Sequence, residues 1–114
     1  MSEAAVTRQE LWGLSHYYYG EAYFGSYKGM RYRVAREPLK NVSFASEEEK
    51  ADARIKASIW KEPYAYGRTP KEEIREGLFD FSEEGMMKAV DWINSCYNAD
   101  IDIWTKAYNS DFIF

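Results

Sequence analysis

Two stretches of strict alternation constrain the fold more than anything else in the chain. Met30, Tyr32 and Val34 alternate with Arg31 and Arg33, and Ile55, Ala57 and Ile59 alternate with Arg54, Lys56, Ser58 and Trp60. A period of two places successive side chains on opposite faces of a strand. Both stretches therefore read as half-buried strands with one apolar face. A strand over about 22–27 precedes the first of them. Lys28-Gly29 lies between and reads as a tight turn, because glycine accepts positive φ. The expectation is a hairpin of 22–27 with 30–36, closed by Pro38, and a third strand at 54–60.

Helices are expected around this sheet. Thr7-Arg8-Gln9-Glu10 has the form of a capping box, in which the threonine hydroxyl and the glutamate carboxylate each satisfy the other's backbone amide. Leu11, Leu14 and Tyr18 come next at helical spacing and predict an N-terminal helix over Arg8–Tyr18, ended by Gly20. Ser46-Glu47-Glu48-Glu49 repeats the capping pattern and predicts a short helix or turn. Thr69-Pro70-Lys71-Glu72 predicts another short helix ending at Gly77. Leu78–Phe81 reads as a fourth strand.

Ser82 then caps the strongest helical pattern, Glu83–Tyr97. Met86, Ala89, Val90, Ile93 and Tyr97 form one stripe at about 100° per residue. Met87 widens it on one side, and Trp92 and Cys96 on the other. The apolar arc reaches about 220°, too wide for a helix packed on a single surface. A second surface is needed: the tail from Ala99 to Phe114, a partner, or a second copy in a homodimer. The expected architecture is α+β. It has a small antiparallel sheet of three or four strands against an N-terminal helix and a long amphipathic helix near the C-terminus.

One domain is expected over 1–114, since the length suits a single core. Aromatic residues make up 18% of the chain and can supply much of that core. Residues 99–114 form a candidate docking or interaction tail. The single cysteine, Cys96, permits no intrachain disulfide and favours a reducing, cytoplasmic setting. Neither a signal peptide nor a membrane span is expected.

The net charge of −4 speaks against a general nucleic-acid binder. Its distribution is uneven. Residues 24–61 hold nine basic and five acidic groups, a balance of +4. Residues 62–114 hold five basic and eleven acidic groups, a balance of −6.

Little points to chemistry. One Cys and one His cannot make a structural zinc site, and no EF-hand spacing occurs. His16 and Ser15 are neighbours in sequence, which helical geometry turns about 100° apart. Cys96 reads as a small buried hydrophobe. Gly25–Gly29 lacks the phosphate-loop order and sits in a hairpin. The many carboxylates read as cap and surface acids, not as a glycosidase pair. No catalytic residue, cofactor or metal is expected.

Two surfaces remain. Arg31, Arg33, Arg54, Lys56 and Trp60 share the sheet's outer face and have the chemistry of a single-stranded nucleic-acid platform. Their alternative role is a solvated face that protects sheet edges. Glu72, Glu73, Glu83, Glu84, Asp100 and Asp102, with Trp104, offer acids and an aromatic for contact with a basic protein.

Two segments carry a resemblance. One runs through Tyr17-Tyr18-Tyr19 and Tyr23-Phe24-Gly25-Ser26-Tyr27-Lys28-Gly29-Met30-Arg31-Tyr32-Arg33-Val34-Ala35-Arg36. The other is Phe79-Asp80-Phe81-Ser82-Glu83-Glu84-Gly85 with Ala89-Val90-Asp91-Trp92-Ile93-Asn94. Together they resemble short reading frames of gut Firmicutes and their phages or mobile elements, over about residues 15–98. The resemblance implies a setting rich in defence and counter-defence systems and no particular chemistry. In that setting the expected role is non-enzymatic. A protein-binding accessory would inhibit a host nucleic-acid enzyme, as anti-CRISPR proteins do, by placing acids in a groove meant for phosphates. The alternative is the nucleic-acid-binding sheet face.

Overall fold

The computed structural model describes residues 4–11, 13–14, 17, 21–37 and 53–110, with backbone alone at 109 and 110. Four strands form one antiparallel sheet in chain order: β1 Tyr23–Tyr27, β2 Met30–Glu37, β3 Arg54–Lys61 and β4 Arg75–Asp80. Lys28 and Gly29 join β1 to β2 with φ of 46° and 98°. Both values are positive, as required by the mirrored two-residue turns that match strand twist. Met30 pairs with Tyr27 across this turn and with Lys61 on the other side.

The inner face obeys the alternation. Met30, Tyr32, Val34, Ile55, Ala57 and Ile59 are all buried. The helix α1, Glu83–Ala99, lies across them and buries Met86, Ala89, Val90, Ile93 and Tyr97. The Ser82 hydroxyl accepts from the Gly85 amide at 3.0 Å, which satisfies one of the free donors at the helix start. Tyr27 meets Tyr97 edge-on at 5.1 Å between ring centroids.

The broad apolar arc of α1 is covered mostly from within the chain. Trp92 packs against Phe79 of β4 with centroids 6.1 Å apart. Cys96 is half-buried beside a second helix, α2, Ile101–Ser110. Trp104 of α2 is buried in the same core, and its indole N–H points to the Cys96 carbonyl at 3.5 Å. On the opposite flank, Asn94 holds the N-terminal segment. Its side chain accepts from the Val6 amide at 3.0 Å and donates to the Val6 carbonyl at 2.9 Å. Ala5, Val6, Leu11 and Tyr17 complete the core there. Met87 alone of the flanking residues stays open, at 54% exposure.

Three expected elements differ. Arg8–Glu10 form a turn closed by the Glu10 amide on the Thr7 carbonyl at 3.2 Å, not the start of a helix. Leu14 and Tyr17 have helical backbone, and the first delimited helix among the described residues is α1. The physical reason lies in Arg8. Its guanidinium is committed to both carboxylate oxygens of Glu83 and to the Leu11 carbonyl, which holds the segment against the end of α1.

The helix expected from Thr69 to Gly77 is replaced by two single 3-10 turns, Tyr66–Arg68 and Lys71–Glu73. The Thr69 hydroxyl donates backwards to the Ala65 carbonyl at 2.9 Å and does not cap the Lys71–Glu73 turn. Gly77 lies inside β4, whose alternation of Arg75, Gly77 and Phe79 supplies β3 with its missing neighbour. The fourth strand is therefore three residues longer at its start than Leu78–Phe81 and ends one residue sooner. The tail leaves α1 at Ala99, breaks at Asp100 and continues as α2, Ile101–Ser110. The capping pattern at Ser46–Glu49 lies outside the described residues, as do His16 and Asp111–Phe114.

Among the described residues no helix is long and apolar enough to cross a membrane.

Candidate functional site

The outer face of the sheet carries the expected basic set, and the chain itself reworks it. The register places Arg31 opposite Trp60, Arg33 opposite Ser58, and Glu37 opposite Arg54. β1 adds Phe24 opposite Arg33 and Ser26 opposite Arg31. The connection from β3 to β4 then folds over this face. The Trp60 indole N–H donates to the Tyr64 carbonyl at 2.7 Å, and the Tyr66 ring lies 5.4 Å from the Trp60 ring. The Tyr66 hydroxyl is 3.3 Å from a Glu76 carboxylate oxygen.

The five basic-face residues consequently have different fates. Lys56 lies 3.1 Å from both Glu37 and Glu76. Burial pulls its ammonium pKa down, but the hydrogen bonds to the two carboxylates outweigh that and leave it above the ordinary lysine value. Arg54 is exposed and donates to the Ala53 carbonyl. Trp60 is buried as a wall, not free as a stacking platform. Arg33 is only 7% exposed, with its guanidinium 4.7 Å from the Tyr66 ring centroid and 5.9 Å from that of Phe24. Arg31 is half-buried, and its Nε meets no hydrogen-bond partner among the described residues.

A cleft of about 370 Å³ opens here, walled by Phe24, Ser26, Arg31, Trp60, Ala65 and Tyr66. Phe24, Ser26 and Tyr66 were absent from the sequence-based set. Phe24 and Ser26 were within reach of it, since hairpin register puts them on the face of Arg31 and Arg33. Tyr66 carried no such signal, because a connection's path over a face leaves no periodicity.

The acidic set is divided between two ends of α1, which is roughly 25 Å long for its 17 residues. Glu83 and Glu84 sit in its first turn. The hydrogen bond from Arg8 holds the Glu83 carboxyl below its ordinary range. At the other end, Asp100 takes a 2.5 Å hydrogen bond from Arg75. Glu72 and Glu73 border the same depression as Ile103 and Trp104. Glu73 is 3.9 Å from Lys61. Glu72, Glu73, Asp100 and Asp102 thus share one end of the molecule with Lys61 and Arg75 interspersed. Trp104 is buried at 2% and acts as an anchor for α2, not as a contact residue. Arg75 lies over its ring at 5.3 Å.

Cys96 has no activated character. Burial raises its thiol pKa, and Arg75 offsets that only in part.

No family model, curated protein or solved structure matches the chain.

Proposed function

We propose that the chain is a small non-enzymatic protein that acts by binding another protein through the α2 end. One observation carries this reading. Trp104 seats α2 on the core while Ile101, Ile103 and Tyr108 remain exposed, Ile103 at 44%. Exposed Asp102 lies between the two isoleucines, and exposed Glu72 and Glu73 lie beside Ile103. Apolar side chains rimmed by charge suit a protein contact. The acids favour a partner with a basic surface, such as the phosphate-binding groove of a nucleic-acid enzyme. The resemblance to reading frames of phages and mobile elements supports an inhibitor of the anti-CRISPR kind, acting in the cytoplasm. Glu83 and Glu84, at the far end of α1, belong to the fold rather than to this contact.

The test is capture from the native host with wild-type protein and with an Ile103→Lys, Asp102→Lys variant. A nucleic-acid enzyme should be retained by the wild type, displaced by a competing single-stranded oligonucleotide, and lost with the variant. Retention that neither the oligonucleotide nor the variant alters would contradict the reading.

A further inference from the structure

The outer-face cleft has an independent property. Arg31 and Arg33 lie two residues apart on one face of β2, and neither forms an ion pair with a described residue. Lys56 on the same face is held by two carboxylates, so acids are near enough to neutralise cations where the fold calls for it. Arg33 is instead nine-tenths buried and rests between two rings. Arg31 borders the cleft, and its Nε is buried with no hydrogen-bond partner among the described residues. A buried donor without a partner is costly, and an arginine donor favours an anionic oxygen above other partners.

The remaining walls specify what accompanies the anion. Phe24 is 58% exposed, and it and Tyr66 both border the cleft. Rings of this kind stack on planar groups, and the cations beside them strengthen such stacking. The Ser26 hydroxyl adds a polar contact at the edge. The cleft volume of about 370 Å³ lies at the small end for ligand sites and suits one ring with one charged group.

We propose that this cleft binds a nucleoside phosphate, with the phosphate at Arg31 and the base stacked against Phe24 and Tyr66. The bound nucleotide is either free or the terminal residue of a single strand. The site is a one-nucleotide cleft, narrower than the five-residue platform the alternation suggests, because residues 62–74 close over the rest of the face. It is separate from the α2 end.

The test uses the full chain and two-dimensional amide spectra during titration with adenosine 5′-monophosphate. Shifts are expected at Phe24, Ser26, Arg31, Trp60 and Tyr66. Adenosine and inorganic phosphate should each bind at least about tenfold more weakly than the nucleotide. Arg31→Met should lose at least about tenfold in nucleotide affinity, with Arg31→Lys recovering part of it. Phe24→Ala removes an exposed ring, so it keeps the fold while weakening binding. A short 5′-phosphorylated single strand compared with the mononucleotide distinguishes the two sources. Tighter binding of the strand assigns a terminal nucleotide, and equal binding assigns a free one. Equal affinity for adenosine and its monophosphate, or unchanged binding in both Arg31→Met and Phe24→Ala, would overturn the proposal. So would an absence of shifts at the cleft up to about 10 mM nucleotide.

Discussion

Single residues decide several joints of this fold. Gly29 is one. Its φ of 98° is strained for any other residue, and a Cβ there would meet the Trp104 carbonyl oxygen. The turn and α2 are therefore packed backbone to backbone. Gly29→Ala should cost about 2–4 kcal/mol, read as a lower urea midpoint with an unchanged slope. The sequence showed the turn but not the second demand, because nothing local to Lys28-Gly29 reveals that a helix 75 residues later presses on it. Arg8 is another. Its bond to Glu83 lowers the folded-state pKa of that carboxyl. The pair thus adds stability above the unfolded glutamate pKa, and the contribution disappears as pH falls through the folded value. The difference in stability between wild type and Arg8→Met should narrow as the pH drops below the ordinary carboxylate range. A difference that stays constant from neutral to acid pH would show that the two residues are not linked in this way.

At the scale of elements, legibility tracked periodicity. β2, β3 and α1 were readable because each carries an apolar face that repeats at 2 or 3.6 residues, and β1 followed from the Lys28-Gly29 turn beside β2. The N-terminal segment and the stretch Thr69–Gly77 were misread for a shared reason. Both carry capping signals whose side chains are used elsewhere: the Glu10 carboxylate accepts from the Tyr32 hydroxyl, and the Thr69 hydroxyl donates to the Ala65 carbonyl. A cap written in sequence starts a helix only when tertiary contacts do not claim its groups first. α2 gives the sharpest element-level test. An isolated ten-residue helix is marginal in water, so α2 depends on Trp104 for its docking. Trp104→Ala should cost about 3–5 kcal/mol if the sheet and α2 unfold together. A smaller cost, with loss of helical signal and protease cleavage confined to 101–110, would show that α2 melts by itself. In either case protection of α2 must fall; an α2 that stays protected would contradict its dependence on Trp104.

For the molecule as a whole, the chain asymmetry of charge is only partly kept in space. Of the acids of residues 62–114, Glu83 and Glu84 lie at one end of α1 and Glu72, Glu73, Asp100 and Asp102 at the other, and several are matched by Arg8, Lys61 and Arg75. The cations of β2 and β3 divide in the same way, with Lys56 neutralised, Arg33 set against the Phe24 and Tyr66 rings, and Arg31 at the cleft. Alternation in the sequence assigned these side chains to a face. It could not show which of them the connection 62–74 would cover, since that path is set by Trp60, Tyr64 and Tyr66 meeting in three dimensions. Two surfaces result on opposite chemical principles: a cationic, ring-walled cleft on the outer sheet face, and an acid-rimmed apolar helix at the α2 end.

Hydrogen exchange on the chain alone and bound to its captured protein partner separates these surfaces most directly. Protection should rise across Lys71–Glu73 and Ile101–Tyr108 while β1 and the Tyr64–Tyr66 stretch exchange as in the free chain. Protection gained at β1 and Tyr64–Tyr66, with α2 unchanged, would contradict binding through the α2 end.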